Sequence, residues 1–295
     1  MRLVFVHGRS QAGKDPAALK DEWMGALEQG LASQGLHLPP GVEVVLVEVV
    51  LPFYGDLLES YSSRLGVPLN EEIHTRGGPL DTDFQQFRGE VLDELRNDAG
   101  ITDEQVSAEF PGEPIERGPL NWKWLHAILR AIDKYVPGGS SGTVDLFTRD
   151  VYVYLKVPGV QLEINRIVAT DLTEASAVVV GHSLGSVVSY NVLRSDPRPL
   201  HVPLYVTVGS PLGIRVVRNS FRPLKSPAPV ARWYNAYDIR DIVALHGLDH
   251  RSFPVTPSVE NNSQVVNDTS NRHGITGYLK NAAVAKKIYD ALSLM

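Results

Sequence analysis

A serine between two glycines is the first feature of this sequence that could do covalent chemistry. Ser183 is the central residue of Gly181–Gly185, which has the sequence Gly-His-Ser-Leu-Gly and directly follows the apolar run Ala177–Val180. Residues 186–194, which come next, can form a helix. A strand, a sharp turn and a helix in this order place a serine hydroxyl above a sheet edge, where it can attack a carbonyl. Ser183 is therefore predicted to be a nucleophile.

The residues Gly181–Gly185, called the serine turn below, combine small residues with a reactive one. In so tight a turn, side chains two positions before and two positions after the serine would collide with neighbouring backbone, so only very small residues fit at Gly181 and Gly185. The same turn directs backbone N–H groups at the point where a tetrahedral intermediate would place its oxyanion. The other interpretation of the pattern is a glycine-bracketed turn with an inert serine.

A nucleophilic serine needs a histidine to accept its proton and a carboxylate to orient that histidine. The predicted strand Ala231–Ala236 leads into two carboxylates, Asp238 and Asp241. A carboxylate just beyond the carboxyl end of a parallel strand lies on the same rim of the sheet as the serine turn. Either aspartate could therefore orient the histidine, and the other would be a turn-capping residue.

The elements that must position these residues alternate along the chain. Five apolar, β-branched runs are predicted strands: Leu3–Val6, Val44–Val50, Ala177–Val180, Pro203–Val208 and Ala231–Ala236. Strands that are buried on both faces of a parallel sheet are continuously apolar, and these runs have that character. The sequence therefore predicts an α/β fold with a mostly parallel sheet sandwiched by helices.

Helical patterns lie between and after these strands. A helix is predicted to begin at Asp15 and Pro16, because proline suits the first turn of a helix. Its apolar residues recur every four positions: Leu19, Trp23, Leu27 and Leu31. Further helices are predicted at Gln161–Leu172, ahead of the third strand, and from Ile275 to Leu292, at the end of the domain.

A long segment separates the second predicted strand from the third, far more than a simple crossover needs. Residues 52–157 are predicted to form a helical cap or lid, inserted into a core of residues 1–51 and 158–295. Two amphipathic patterns indicate its helices: Phe84, Phe87, Val91 and Leu95 in one, and Trp122, Leu125, Leu129, Ile132 and Val136 in the other.

These motifs resemble those of the α/β-hydrolase superfamily, in its serine esterase and lipase branch. The resemblance covers the serine turn, the His7-Gly8 pair after the first strand and the carboxy-terminal segments with the candidate acids, but it leaves out residues 52–157. In this family, further strands usually precede the His-Gly strand, so the resemblance implies a sheet trimmed at its amino-terminal edge. It also implies the chain order serine, acid, histidine.

The resemblance selects among the carboxylates and histidines. Asp241, followed by an apolar residue and a valine, is similar to the acid loop of lipases, and Asp238 remains the alternative. Three histidines follow the acid, but His246 and His250 come too soon after it for another strand to intervene. His273 directly precedes the last predicted helix, where the family has its catalytic base. His273 and Asp241 are therefore predicted to complete a triad with the serine.

The resemblance also implies an oxyanion hole made of two backbone N–H groups. One comes from the residue after the nucleophile, which is Leu184. The other comes from the loop after the His-Gly strand, residues 8–14, called the first loop below. Arg9 is the predicted donor in that loop, and Gly8 and Ser10 are alternatives.

Two more histidines and a glycine-containing stretch lie next to these motifs. His182 is expected to pack behind the serine turn, and His7 to support the first loop. Residues 8–15 match a phosphate-binding loop at two glycines and a lysine, but Asp15 stands where a serine or threonine must bind magnesium. We therefore expect an oxyanion loop rather than a nucleotide site.

Composition excludes several other functions. With 28 basic and 34 acidic residues and no basic run, the chain is not expected to bind nucleic acid. Cysteine is absent, which excludes disulfides, thiolate metal sites and a cysteine nucleophile. The first apolar run is too short for a signal sequence, and no apolar stretch approaches the roughly 20 residues that cross a bilayer. We therefore expect a soluble, cytoplasmic protein without a transmembrane segment.

Together the motifs predict a carboxylic ester hydrolase, similar to serine esterases and lipases, that works through an acyl-enzyme. No cofactor or metal is expected. His246, Asp249 and His250 could suggest a metal site, but Gly247 interrupts the pair and no further ligand lies at a suitable spacing. A helical insertion over the site favours a small-molecule ester with an apolar acyl or alcohol part. The alternatives are a non-enzymatic relative that binds a ligand or partner, and an acyltransferase or thioesterase with the same triad.

Overall fold

A parallel sheet lies at the centre of the structure. The computed structural model describes residues 1–37, 47–64, 79–110, 116–137, 139–269 and 271–293. The strands are β1 (Arg2–Val6), β2 (Glu48–Val50), β3 (Ala177–His182), β4 (Leu204–Val208), β5 (Trp233–Ala236) and β6 (Glu260–Asn262). They form one six-stranded sheet in the order β2-β1-β3-β4-β5-β6, and every neighbouring pair is parallel.

Helices cover both faces of this sheet. They are α1 (Pro16–Ala32), α2 (Gly55–Arg64), α3 (Pro79–Asp98), α4 (Asp103–Ala108), α5 (Trp122–Tyr135), α6 (Ser141–Lys156), α7 (Pro158–Asp171), α8 (Leu184–Ser195), α9 (Arg215–Asn219), α10 (Ile275–Leu279) and α11 (Ala282–Ser293). In the described ranges, no helix combines the length and the apolar character that crossing a membrane requires. The α/β class with a parallel sheet and flanking helices is confirmed.

Side chains of each strand point alternately into two apolar layers. Leu3 and Phe5 of β1 pack with α1, α10 and α11 on one face, whereas Val4 and Val6 pack with α7 and α8 on the other. Both sets are almost completely buried. Burial on both faces explains why the central strands are continuously apolar.

The helices of residues 52–157 belong to the second of these layers. They share one apolar cluster with α7, α8 and the sheet, and α6 packs directly against α2, α3, α7 and α8. The division of the chain into a core and a cap stays a prediction.

Most predicted elements have a counterpart, and the bounds of two of them differ most from the prediction. The second strand covers only Glu48–Val50 of the predicted Val44–Val50, of which residues 44–46 lie outside the described part. The last helix is divided into α10 and α11, because the Asn281 side chain accepts hydrogen bonds from the backbone N–H groups of Ala283 and Val284 and so caps a new helix.

Candidate active site

Ser183 occupies a strained backbone position between β3 and α8. Its φ is 53° and its ψ is −128°, a backbone conformation that residues other than glycine rarely adopt. The backbone N–H of Ser183 donates to the Val208 carbonyl oxygen over 3.1 Å, which ties the serine turn to β4. Such strain persists where the surrounding structure enforces it, and it is concentrated at functional sites.

The two glycines of the serine turn allow this close packing. A Cβ on Gly185 would lie 2.0 Å from the Val6 carbonyl oxygen, and a Cβ on Gly181 would lie 2.6 Å from Ser189 Oγ. Neither position has room for a side chain. The turn therefore lies directly against the carboxyl end of β1, where the first loop begins.

Ser183, His273 and Asp241 come together in a chain of hydrogen bonds. His273 Nε2 lies 2.6 Å from Ser183 Oγ, and His273 Nδ1 lies 2.7 Å from Asp241 Oδ2. Because a carboxylate only accepts, Nδ1 carries the imidazole proton and Nε2 is free to accept from the serine hydroxyl. The three residues are 1%, 7% and 1% exposed in the order named, so bulk water does not compete for these contacts.

Asp241 is held by two further hydrogen bonds, neither of which the sequence indicated. The Val243 backbone N–H donates to Oδ1 over 3.1 Å, and the Tyr278 hydroxyl donates to Oδ2 over 2.7 Å. Burial, together with the Asp241 charge, raises the pKa of Tyr278 well above its ordinary value, which keeps the hydroxyl protonated as a donor. In the sequence, Tyr278 is one aromatic residue of a predicted amphipathic helix, and nothing there distinguishes it from a packing residue.

Asp238, the alternative acid, is used elsewhere. Its Oδ2 forms an ion pair of 2.8 Å with Arg240 Nη2 and accepts from the Asn267 backbone N–H over 2.8 Å. The hydrogen bonds of His273 do not include it. Asp238 therefore fixes the loop after β5, beside the carboxylate that contacts the histidine.

Two buried histidines support the site in their neutral form. Burial lowers the pKa of His182 well below its ordinary value, and its Nε2–H donates to the His273 carbonyl oxygen over 2.8 Å. Burial also lowers the pKa of His7 to about 4. His7 Nδ1–H donates to the Gly8 carbonyl oxygen over 2.7 Å, and Nε2 accepts from the Tyr54 backbone N–H over 3.1 Å. His182 thus anchors the loop of His273, and His7 anchors the first loop.

The predicted oxyanion donors lie on two sides of the serine. Leu184 is the first residue of α8, and in the described structure its backbone N–H makes no hydrogen bond, as is usual at a helix start. The first loop approaches so closely that a Cβ on Gly8 would lie 2.9 Å from Ser183 Cβ. Within the described residues the Arg9 N–H is also unused, and Ser10 has a positive φ of 58°. The assignment of Arg9, rather than Gly8 or Ser10, stays a prediction.

A cavity of about 330 Å³ opens beside Ser183 and His273. The first loop and α1 form one side of it, and residues 269, 271 and 273–276 form the other. No described residue of the segment 52–157 lines it. The expected apolar substrate was inferred from that segment, so the groups that line the cavity, many of them polar, are the better guide to what it binds.

A group of potential metal ligands occurs away from this cavity. Of the described residues, Glu94, Asp98 and His246 have ligand atoms within 4.8 Å of one another. His246 Nε2 is 2.6 Å from Asp98 Oδ2, and both Glu94 carboxylate oxygens accept from the Arg215 backbone N–H. Those contacts tie α3 to α9 and to the loop after β5. His246, Asp249 and His250, which are close together in the sequence, do not form such a group in the described structure.

In comparisons with known proteins, no family model, no curated protein and no solved structure matches this chain. The architecture, a parallel sheet flanked by helices, is compatible with the α/β-hydrolase fold. Membership of that superfamily stays an interpretation of the sequence motifs. What the protein does must therefore be inferred from the geometry at Ser183.

Proposed function

We propose that this protein is a serine hydrolase that cleaves carboxylic esters through an acyl-enzyme. The observation that carries the proposal is the hydrogen-bond chain from Ser183 Oγ through His273 to Asp241, at 2.6 and 2.7 Å, beside an open cavity. Folding alone would not require a buried serine in a strained conformation, an imidazole and a carboxylate in this order.

In the first half of the reaction, Ser183 Oγ attacks the ester carbonyl carbon while its proton passes to His273 Nε2. Asp241 stabilises the resulting imidazolium through Nδ1–H, and backbone N–H groups near Leu184 and Arg9 donate to the oxyanion. The tetrahedral intermediate then collapses: the bond from carbonyl carbon to alkoxide oxygen breaks, and the alcohol leaves with the proton from Nε2. An acyl group remains on Ser183.

In the second half, water replaces the alcohol. His273 Nε2 removes a proton from water, the hydroxide attacks the acyl carbon, and Ser183 Oγ leaves with that proton. The products are the alcohol and the carboxylic acid, and each proton transfer uses the same nitrogen. These steps use Ser183, His273, Asp241, the backbone N–H groups beside the serine and one water molecule.

A fluorophosphonate probe tests the nucleophile directly, since it reacts with activated serines. We expect the probe to label Ser183, and Ser183→Ala to abolish both labelling and hydrolysis of p-nitrophenyl acetate, by about 10⁴-fold or more. Ser220→Ala is the matched control, because Ser220 is exposed at the end of α9 and its hydroxyl donates only to the Val216 carbonyl oxygen. It should leave both readouts unchanged.

A folded protein that is neither labelled nor active on esters would contradict the proposal and favour a binding protein that uses the same cavity. An acyltransferase would instead be indicated if the probe labels Ser183, hydrolysis is slow, and acyl transfer to an added alcohol or thiol is fast. A strong preference for thioesters over oxygen esters would indicate a thioesterase. The same purified protein serves all three measurements.

A further inference from the structure

The cavity beside Ser183 contains hydrogen-bond donors that the protein itself does not satisfy. Arg9 lines it, and its Nε is buried without a hydrogen-bond partner. Arg9 Nη1 donates to Ser10 Oγ over 2.8 Å, and in the described part of the chain no carboxylate lies within ion-pair distance of this guanidinium. A buried donor that is left unpaired costs stability, so a partner from outside the chain is expected.

The charges nearest to Arg9 act on it from beyond ion-pair distance. Asp150 attracts the Arg9 charge and Arg149 repels it, and these two residues of α6 form an ion pair of 2.8 Å with each other. Arg149 also pairs with Glu59 over 2.9 Å, so it is shared between two carboxylates and only partly offsets Asp150. Asp150 therefore attracts Arg9 from a distance, and in the described structure no carboxylate contacts the Arg9 guanidinium directly.

Two more donors line the same cavity. Trp23 of α1 is 1% exposed, and its indole Nε1–H has no hydrogen-bond partner. Lys14 is exposed in the first loop and, within the described residues, forms no ion pair. An indole and an ammonium donate hydrogen bonds and accept none. The three side chains suit a ligand group that only accepts.

One acid and one amide oxygen oppose them. Gln11 Oε1 is buried without a hydrogen-bond partner, and Gln11 lines the same cavity, so one acceptor there also lacks a donor. Glu22 of α1 lines the cavity and is exposed. Because it is exposed, its repulsion of an anion is screened by water and salt, whereas Arg9 is partly buried and acts at lower dielectric. Two cations and one carboxylate leave the lining with a net positive charge.

We propose that the substrate is a small ester that also carries a carboxylate, which binds to Arg9, Trp23 and Lys14 while the ester carbonyl lies at Ser183. The inference rests on the proposed ester hydrolysis and adds its substrate class. A carboxylate has acceptor sites for several donors at once, and its pairing with a guanidinium is the strongest of these contacts. A cavity of about 330 Å³ suits a small molecule of this kind.

Matched esters separate the carboxylate from chain length. On the acyl side, mono-p-nitrophenyl adipate is compared with p-nitrophenyl hexanoate, which has the same number of acyl carbons and no charge. On the alcohol side, 3-carboxypropyl acetate is compared with butyl acetate in a pH-stat. For each pair, the ratio of kcat/KM for the anionic ester to that for the neutral ester is the readout. We expect a ratio of about ten or more in at least one pair.

Variants then locate the preference. Arg9→Gln keeps the backbone N–H and should lower the ratio by about tenfold or more, because it removes a partly buried charged contact. Lys14→Gln, at an exposed position, should lower it by about twofold to fivefold. Glu22→Gln should raise it by up to about twofold. Lys20→Gln is the charge-matched control: Lys20 is on α1 but does not line the cavity, so the ratio should not change.

The outcomes distinguish this inference from the proposed function. If neither member of either pair is hydrolysed, both fail together. If the neutral esters are hydrolysed equally well or better in both pairs, ester hydrolysis stands and the carboxylate site is wrong. If Arg9→Gln slows the anionic and neutral esters by the same factor, the guanidinium serves the oxyanion or the fold, which also overturns the inference. Lys14→Gln keeps the test decisive should Arg9→Gln fail to fold.

Discussion

Two regions of this protein bury polar groups in opposite ways. Between α3 and α6, Arg88 and Asp145 form an ion pair of 2.8 Å whose side chains are 1% and 5% exposed. At the cavity, Arg9 Nε and Trp23 Nε1 are buried without partners, and Ser183 has a strained backbone. The first region pairs its charges with each other, and the second leaves buried donors without partners beside a cavity.

The difference separates structural polar groups from functional ones. A buried ion pair fixes how two helices pack, and removing one partner leaves an uncompensated charge. Buried donors without partners and a strained serine lower stability, and they are expected where a ligand or a reaction uses them. Substitutions in the first region should therefore lower stability with little effect on catalysis. Substitutions at the cavity should lower catalysis with little effect on stability.

The largest effect on stability is expected from Asp145→Asn. It leaves the buried Arg88 charge without its carboxylate, and we expect the free energy of unfolding to fall by about 3–5 kcal/mol in urea denaturation. The control is Asp290→Asn on α11, which breaks the pair of Lys286 and Asp290, whose side chains are 51% and 42% exposed. That exposed pair should contribute less than about 0.5 kcal/mol.

Two observations complete the test of Asp145. The fraction of Asp145→Asn that remains folded should hydrolyse esters at the rate of the unchanged protein. The double variant Arg88→Met with Asp145→Leu should recover most of the lost stability, because it buries no unpaired charge. A loss of activity per folded molecule would show that the pair acts on the site and would remove the contrast between the two regions.

A smaller effect, on chemistry this time, is expected from Tyr278→Phe. It removes the hydroxyl that donates to Asp241 Oδ2 over 2.7 Å, and with it one of the contacts that hold this carboxylate toward His273. Loss of one hydrogen bond to a charged group should lower kcat by about tenfold, with KM unchanged. Initial rates of p-nitrophenyl acetate hydrolysis, measured over a range of substrate concentrations, separate kcat from KM.

The matched control for Tyr278→Phe is Tyr234→Phe. Tyr234→Phe loses one hydrogen bond, from Asn262 Nδ2 at 2.8 Å, and Tyr234 lies in β5 away from the triad. Tyr278→Phe loses, besides the bond to Asp241, a longer one from the Asp238 backbone N–H at 3.3 Å. Both variants should lose similar stability, and only Tyr278→Phe should lose kcat. Equal kcat in the two variants would leave Tyr278 as a packing residue.

The sequence predicts the parts of this fold whose burial is simple. β1 and β3 were predictable because both of their faces are buried, which makes them continuously apolar. α6 was missed because its buried residues from Val144 to Tyr154 include four polar ones, Asp145, Thr148, Arg149 and Asp150, so burial does not follow hydrophobicity there. β6, with the sequence Glu-Asn-Asn, was missed because an exposed edge strand has no apolar signal.

The site was predictable in its residue types and not in its surroundings. Local order along the chain singled out Ser183, and chain order under the family resemblance singled out His273 and Asp241. The Tyr278 contact and the unpaired donors of Arg9 and Trp23 depend on which atoms meet across α1, α10 and the first loop. Those contacts join residues far apart in the sequence, and no period or spacing records them.

The smallest expected effect concerns the backbone of Ser183 itself. At an ordinary position, a protein with glycine is less stable than one with alanine, because glycine gives the unfolded chain more conformational freedom. At a φ of 53° and a ψ of −128° the Cβ of alanine is strained and glycine is not, so the order should reverse. We expect Ser183→Gly to be about 1 kcal/mol more stable than Ser183→Ala, with both inactive, in thermal or urea unfolding.

Ser186→Gly and Ser186→Ala provide the reference for that reversal. Ser186 follows in α8, where helical backbone favours alanine over glycine by about 1 kcal/mol. If Ser183→Gly is also less stable than Ser183→Ala, the backbone at position 183 is not strained enough to cost stability. If the order reverses only there, the protein keeps the serine in place at a cost in stability, as expected of a residue retained for its chemistry.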